Sequence, residues 1–469
     1  MAVVSQSVYN SFKRPLRRIY IKINLLDLQY NVIDTLEGNL INGSISSDGN
    51  SNLRNSCNIS MVVTDASFNV QDHDKIWLDR LVKIYVGIDD MSTGEVAWIN
   101  KGIFLINQPT YKYDSTSKEL SFQGVDLMAK MTGLRNGYLT YNYLIPAGSN
   151  VKSVINAIAN ANGFTKTILS ECKNVDGSIQ NVPNNLSYDQ GATWADILND
   201  LQNILPNYQI YFDTDGVLHY DQIPYRANEP IRMDDDIWSE NVIEESVQYD
   251  FEAVKNVVKV LGKTHEIDNY PSEQTVSGAT LNLTIASVTE LKDNVMIGFT
   301  PPSAISGNIS INVSGLGAKA LVNDNGSRVT SLNANEYYVA VYQSGQWRFM
   351  GHLQAEGEWK DTNPASPFYI GNTVGEIPIV LYGGEYENIP TDDLAKQRAK
   401  WEIYQRARLN DTINISCVPI YWAEVNWMVE YTSITTGQSA QYMIKSIDTD
   451  LSYDGVQTFV LAKYYPYYE

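Results

Sequence analysis

Four histidines, His73, His219, His265 and His352, and three cysteines, Cys57, Cys172 and Cys417, are the chain's nitrogen and sulfur candidates for metal ligation, and no two stand near each other. Structural and catalytic zinc need several such side chains at fixed spacing, so no metal centre is expected. The odd, scattered cysteines give no disulfide framework. The run Gln71-Asp72-His73-Asp74 could hold a cation, but it imposes no fixed geometry, and a solvated turn is the better reading. Asp213-Thr214-Asp215-Gly216 opens like a calcium loop, yet Gly falls at position 4 and Pro224 at position 12, which excludes an EF-hand and leaves a hairpin turn. There is no Gly-x-Ser-x-Gly elbow and no Walker loop, and Gly315-Leu316-Gly317-Ala318-Lys319 has the wrong spacing to cradle phosphate. Among 54 carboxylates no pair can be singled out for glycoside cleavage. Tyr342 and Trp347 are the one pair that could stack on a sugar, although aromatics on strands more often fill a core. The expectation is therefore no catalytic, cofactor-binding or metal residue, no cofactor, and a chain that is not an enzyme.

What must position these residues is a long, acidic, β-rich chain. Its 469 residues suggest roughly three or four domains. With 43% hydrophobic and 19% charged residues it has material for cores and is not expected to be disordered. A net charge of −20 argues against stable nucleic-acid binding by counterion release and against an anionic membrane surface. No apolar run reaches the about 18 residues of a membrane span, and the N-terminus lacks a signal-peptide block. The expectation is synthesis in a reducing cytoplasm. Lys13 to Arg18 would be an arm docking on an acidic neighbour, or a free tail. The 31 tyrosines suit strands that meet other chains.

Residues 19 to 126 read as strands in period two: Ile19 to Asn24, Ser56 to Val63, Leu81 to Ile88, Trp98 to Ile106 and Glu119 to Val125. The period then changes. Val151, Val154, Ile155 and Ile158 form a helical face closed by Asn162-Gly163, and Thr193 caps a second helix that Pro206 stops. A hairpin, Tyr208 to Phe212 and Val217 to Ile223, follows. After β structure from Val242, the Ser/Asn/Gly-rich stretch from His265 to Gly371 reads as a separate β module. Thr391 then caps a helix with Ala395, Ala399 and Ile403 on one face, and strands resume to the end.

Two segments repeat. Asn58-Ile59-Ser60-Met61-Val62 is matched by Asn414-Ile415-Ser416-Cys417-Val418, and the turn Ser92-Thr93-Gly94 by Thr435-Thr436-Gly437, each followed by a strand and later by a Tyr-Asp, at Tyr113-Asp114 and Tyr453-Asp454. The spacings differ: Ser60 to Gly94 is 34 residues, Ser416 to Gly437 is 21. The repeat predicts two copies of one β unit per chain.

This order of elements, with Gly148 to Ala159, Thr193-Trp194-Ala195-Asp196-Ile197-Leu198 and the Tyr208 hairpin between two β units, resembles the baseplate hub proteins of tailed bacteriophages and related contractile injection systems. The stretch Asn312 to Val322 with Tyr342 to Gly351 resembles a β module of tail-fibre and receptor-binding proteins. The resemblance implies a mainly β fold with a small α/β domain: a first tube-like β-barrel domain over 1–135, the α/β domain over 136–240, a second barrel domain over 241–264 and 372–469, and an inserted β-sandwich-like module over 265–371. It implies a homotrimeric, pseudo-six-fold hub that joins a six-fold tail tube to a central spike or needle and leaves a channel for DNA. The implied partners are the tail tube protein, the spike, the tape measure protein and other baseplate proteins; the implied place is the virion baseplate, assembled in the host cytoplasm. A carboxylate-lined bore would repel DNA phosphates. The alternatives are a carbohydrate-binding adhesin, with Tyr342 and Trp347 as contacts, and a hub carrying a cell-wall hydrolase.

Overall fold

The computed structural model describes the chain except residues 1–3, 13–17, 38–39, 64–67, 73, 91, 114, 116–117, 175–176, 206, 224–229, 240, 410–411, 453 and 466–469, and the side chains at 6, 37, 40, 41 and 239. His73, most of the basic N-terminal run, and one member of each Tyr-Asp pair lie outside the described residues.

The fold is mainly β. Period-two segments at both ends of the chain join one 13-stranded sheet. The first half gives β1 (Ile19–Leu26), β2 (Val32–Glu37), β3 (Leu40–Asp48), β4 (Asn55–Val62), β5 (Leu81–Asp90), β6 (Glu95–Tyr113) and β7 (Lys118–Asp126). The second gives β8 (Ile231–Met233), β9 (Val242–Gln248), β10 (Thr412–Cys417), β11 (Met428–Thr432), β12 (Ser439–Asp450) and β13 (Gln457–Lys463). The order is β9-β10-β13-β12-β3-β4-β7-β6-β5-β1-β2, with β11 on β12 and β8 on β11. One face is apolar because alternate side chains point the same way. Cys57, Ile59 and Met61 from β4 join Ile413, Ile415 and Cys417 from β10 in a single core cluster. A short helix, α1 (Gln6–Phe12), sets Phe12 edge-on to Trp422, with ring centroids 4.8 Å apart.

A second core lies under the α/β layer. α2 (Val151–Ala161) starts where the Asn150 side chain accepts from the Ser153 N–H, and α3 (Trp194–Asn203) starts at a capping box between Thr193 and Asp196. Their apolar stripes, with Val151, Ile155, Ile158, Ile197, Leu198 and Leu201 buried, pack on the hairpin Tyr208–Phe212 and Leu218–Gln222. The hairpin turn is closed by Gly216 at φ +74°, and its Asp213 carboxylate accepts from the N–H groups of Asp215 and Val217. After a five-residue α4 (Asp235–Ser239), the long helix α5 (Asp392–Arg406) begins at Thr391.

Two expected assignments change here. Residues 257–264 and α5 were expected in the second barrel. Instead, strand Val257–Thr264 pairs with Gln354–Lys360 and Pro378–Leu381 in a separate three-stranded sheet. That sheet and α5 contribute Val258, Val260, Leu394, Ala395, Ala399 and Ile403 to the α/β core. The cause is apolar content on both strand faces: Val257, Val258 and Val260 are all buried, which a one-sided sheet cannot satisfy. The inserted module thus grows from the antiparallel stem Val257–Lys360 of the α/β layer, not from a loop of the large sheet. It has its own core, including Leu281, Phe299, Ile311 and Trp347. Its Arg348 pairs with Asp324 at 2.6 Å and donates to the Pro183 carbonyl at 2.6 Å. Thr391 at the head of α5 donates to Asp324 at 2.5 Å.

Candidate functional site

The residues nominated for ligand chemistry are placed as follows. Trp347 is 0% and Tyr342 7% exposed, set edge-on to each other at 5.2 Å in the module core, so neither offers a ring face to a sugar. Burial wins because both lie on adjacent strands whose shared face closes over the larger of the module's hydrophobic clusters. His265 bonds the Pro390 carbonyl, His219 stacks on Tyr211 beside Asp213, and His352 sits 2.7 Å from Asp392. The three cysteines are buried and in no disulfide, and burial pushes the Cys57 thiol up to about 12. Among the described residues no three His, Cys, Asp or Glu side chains gather in a way that could hold a metal.

The geometry that stands out is the repeat inside the large sheet. β3-β4-β7-β6-β5 and β9-β10-β13-β12-β11 are the same sequence of neighbours. The match reaches side chains. Ile59 faces Phe122 across β4 and β7, and Ile415 faces Phe459 across β10 and β13. Asn58 lies opposite Ser44 and its amide donates to that hydroxyl at 3.5 Å; Asn414 lies opposite Ser246 and does the same at 3.5 Å. In the β5–β6 turn the Gly94 N–H donates to the Asp90 carbonyl at 2.8 Å; in the β11–β12 turn the Gly437 N–H donates to the Ser433 carbonyl at 2.8 Å. Both glycines have left-handed φ, +73° and +69°, which explains why each turn ends in Gly. The copies differ at their outer strands: β1 runs antiparallel to β5, β8 parallel to β11. They also differ beneath. Trp238 from α4 fills the second copy, edge-on to Tyr431 and Phe459.

The copies are fused edge to edge. The C-terminal half of β12 stays paired with β13 but runs past the end of β11, and on that edge it pairs with β3, with Thr449 opposite Ile45 and Asp448 opposite Ser46. The equivalent half of β6, Thr110–Tyr113, pairs with β7 alone among the described residues. The equivalent of β3 is β9, which among the described residues pairs with β10 alone. So the seam inside the chain uses two edges whose counterparts, β6 and β9, stand open at the two ends of the paired units. At β3, β4, β7, β9, β10 and the far halves of β6 and β12 the sheet's other face is polar, whereas toward β1, β5 and the near half of β6 it sends Leu26, Leu81, Ile103 and Leu105 into the second core. Ser44, Asn58, Gln123, Ser121, Asn414, Ser416 and Thr458 line the polar stretch, with Glu119, Glu244, Asp448 and Asp450 against Lys112.

Sequence reasoning found the Asn-Ile-Ser strands and the Gly turns but missed β3 and β9 as a matched pair. Their likeness is two residues long, the serine opposite each asparagine and the β-branched residue after it, Ile45 and Val247.

Comparison with known proteins agrees with this architecture. A family described as a domain of unknown function (DUF5048) matches residues 365–468. No curated protein matches the chain. The 43 kDa tail protein of prophage MuSo2 from Shewanella oneidensis superposes with a TM-score of 0.53 at 11% identity, over 95% of this chain and 98% of that one. The tail protein from Neisseria meningitidis MC58 gives 0.52 at 12% identity, over 96% and 98%. At such identities the likeness is one of fold, and the chain carries the fold of these phage tail proteins from end to end.

Proposed function

We propose that the chain is a structural hub protein of a phage-type tail, in which three copies close a ring of six like units. The observation that carries this reading is the pair of open edges. A neighbouring chain's β9 laid on β6 would repeat, between molecules, the seam that β12 and β3 make within one. Closure with one edge type removes every open strand edge of the paired units. Each unit would give four strands to the wall, and the polar stretch of the sheet would line the passage. Along the polar stretch Glu119, Glu244, Asp448 and Asp450 outnumber Lys112, so a DNA phosphate backbone would be repelled rather than held. Six-fold presentation from three chains suits a tail tube protein on one side. The α/β layer and the inserted module lie off the sheet, where a central spike, a tape measure protein or other baseplate proteins would be met. On this reading the chain acts in the virion, after assembly in the host cytoplasm, and without catalysis. Light scattering and electron microscopy of the purified protein test it. The expected particle has three times the 52.7 kDa chain mass and a central hole. A chain that stays monomeric even with its tube partner, or a ring of another order, would refute it.

A further inference from the structure

We propose that the cavity beside the C-terminus of α5 binds an acidic peptide segment of another protein. The cavity has a volume of about 620 Å³, within the size of sites that hold small ligands. Six cations line it, Arg54, Arg398, Arg406, Arg408, Lys445 and Lys463, against one lining acid, Glu385. That density is unexpected in a chain of net charge −20.

Part of the cluster is explained by the fold. Arg406 and Arg408 sit at the carbonyl end of α5, where the helix dipole favours cations. Arg398 is held by Glu402 at 2.9 Å and Glu385 at 2.8 Å, and Arg406 by Glu402 at 2.8 Å. The remainder is not explained this way. Arg54 comes from the residue before β4, and Lys445 and Lys463 from the neighbouring strands β12 and β13, so cations from outside α5 are brought to the same place. No carboxylate lies within ion-pair distance of Arg54 or Lys445 among the described residues. Arg54 is 7% exposed. One of its terminal nitrogens donates to Gln209 at 2.6 Å, but its Nε has no acceptor. Burial and the neighbouring Arg408 push the Lys445 ammonium down to about 8, against a weaker attraction from Asp48. The empty cavity thus stores like-charge repulsion that an anion would relieve.

A peptide fits better than a bare anion because the rest of the lining is made for a backbone. Gln202 lines it with its oxygen on the Ile210 N–H and its amide nitrogen left to donate to a carbonyl, and Trp401 and Tyr404 line it with aromatic surface. Carboxylate side chains would meet the arginines and lysines through charge-assisted hydrogen bonds. The site stands on the geometry of the single chain and holds whether or not three chains form a ring.

The test is calorimetric titration of the whole protein with end-blocked tetraglutamate at low ionic strength. Binding is expected, weakened about tenfold or more in Lys445→Met, the effect of losing one charge-assisted contact. Lys319→Met, which removes the same charge from the inserted module, should leave it unchanged. Without peptide, Lys445→Met should melt no lower than the wild type, since it removes a repelled, buried charge. Arg408→Gln is the second variant and should show the same loss. No binding, or an equal loss in Lys319→Met, would overturn the site. Inorganic phosphate or citrate binding as tightly as the peptide, with the same sensitivity to Lys445→Met, would overturn the peptide in favour of a free polyanion.

Discussion

Phe122 and Phe459 hold the same place in the two copies, each opposite an isoleucine, and the four side chains are at most 4% exposed. Truncating either ring leaves a void that neighbouring strands cannot close, so Phe122→Ala and Phe459→Ala should each cost about 3–5 kcal/mol by denaturant unfolding. A near-neutral result at one position would mean that copy lacks the packing assigned to it. Glu245 makes a pH-dependent contribution. Burial raises its pKa, but hydrogen bonds from Ser433, Tyr431, the Ile434 N–H and Thr435 outweigh this and hold the carboxyl at about 2. A carboxylate with a depressed folded pKa stabilises fully above its unfolded value near 4.5, and that stability is lost as pH falls toward 2. Glu245→Gln should therefore melt lower than the wild type at pH 7, by about 1 kcal/mol for a solvent-screened group. The gap should narrow steadily below pH 4.5; a gap constant to pH 2.5 would contradict the account. Ile59 and Ile415 were legible as period-two residues in the sequence. Arg398 and Glu402 were not, because an i,i+4 charge pair reads as a solvated helix face until tertiary packing buries it.

Helices show how local signals and tertiary context divide the information. Caps are local: Asn150, Thr193 and Thr391 each accept from a backbone N–H three residues on, and the starts at Thr193 and Thr391 were read directly from the sequence. Thr193→Ala removes the hydroxyl half of a capping box, leaving the bond from the residue 193 N–H to Asp196, and should lower stability by about 1 kcal/mol in thermal or denaturant unfolding, while Thr193→Ser should restore most of it. If alanine there is neutral, Asp196 alone must satisfy the helix start. Sheet membership is not local. Val257–Thr264 has strand character on any reading, but which sheet takes it depends on partners a hundred residues away, Gln354–Lys360 and Pro378–Leu381. The same holds for Tyr342 and Trp347: their strand period was legible, and which face closes over a core was not.

At the scale of the molecule, the proposed ring makes its interface predictable in register. Asp448 corresponds to Thr110 and Thr449 to Tyr111, because each pair faces equivalent residues of β13 and β7. Ser44 corresponds to Ser246, because each faces the equivalent asparagine. Ile45 and Ser46 then correspond to Val247 and Gln248, and since Thr449 faces Ile45 and Asp448 faces Ser46 within the chain, Tyr111 should face Val247 of the next chain, and Thr110 should face Gln248. Lys112 then falls opposite Ser246, diagonal to Glu244 on the same face, a distance at which opposite charges attract and like charges destabilise. Both side chains are exposed in the single chain, so changing them should spare its fold. Glu244→Lys should weaken association and shift the mass distribution toward single chains, and Lys112→Glu should do the same. The double exchange should recover the particle, each charge again meeting its opposite across the seam. Two single variants that assemble as well as the wild type would remove this seam from the ring. A double variant no better than its worse parent would leave the two residues important but not facing each other, and the register drawn from the internal repeat would fall with it.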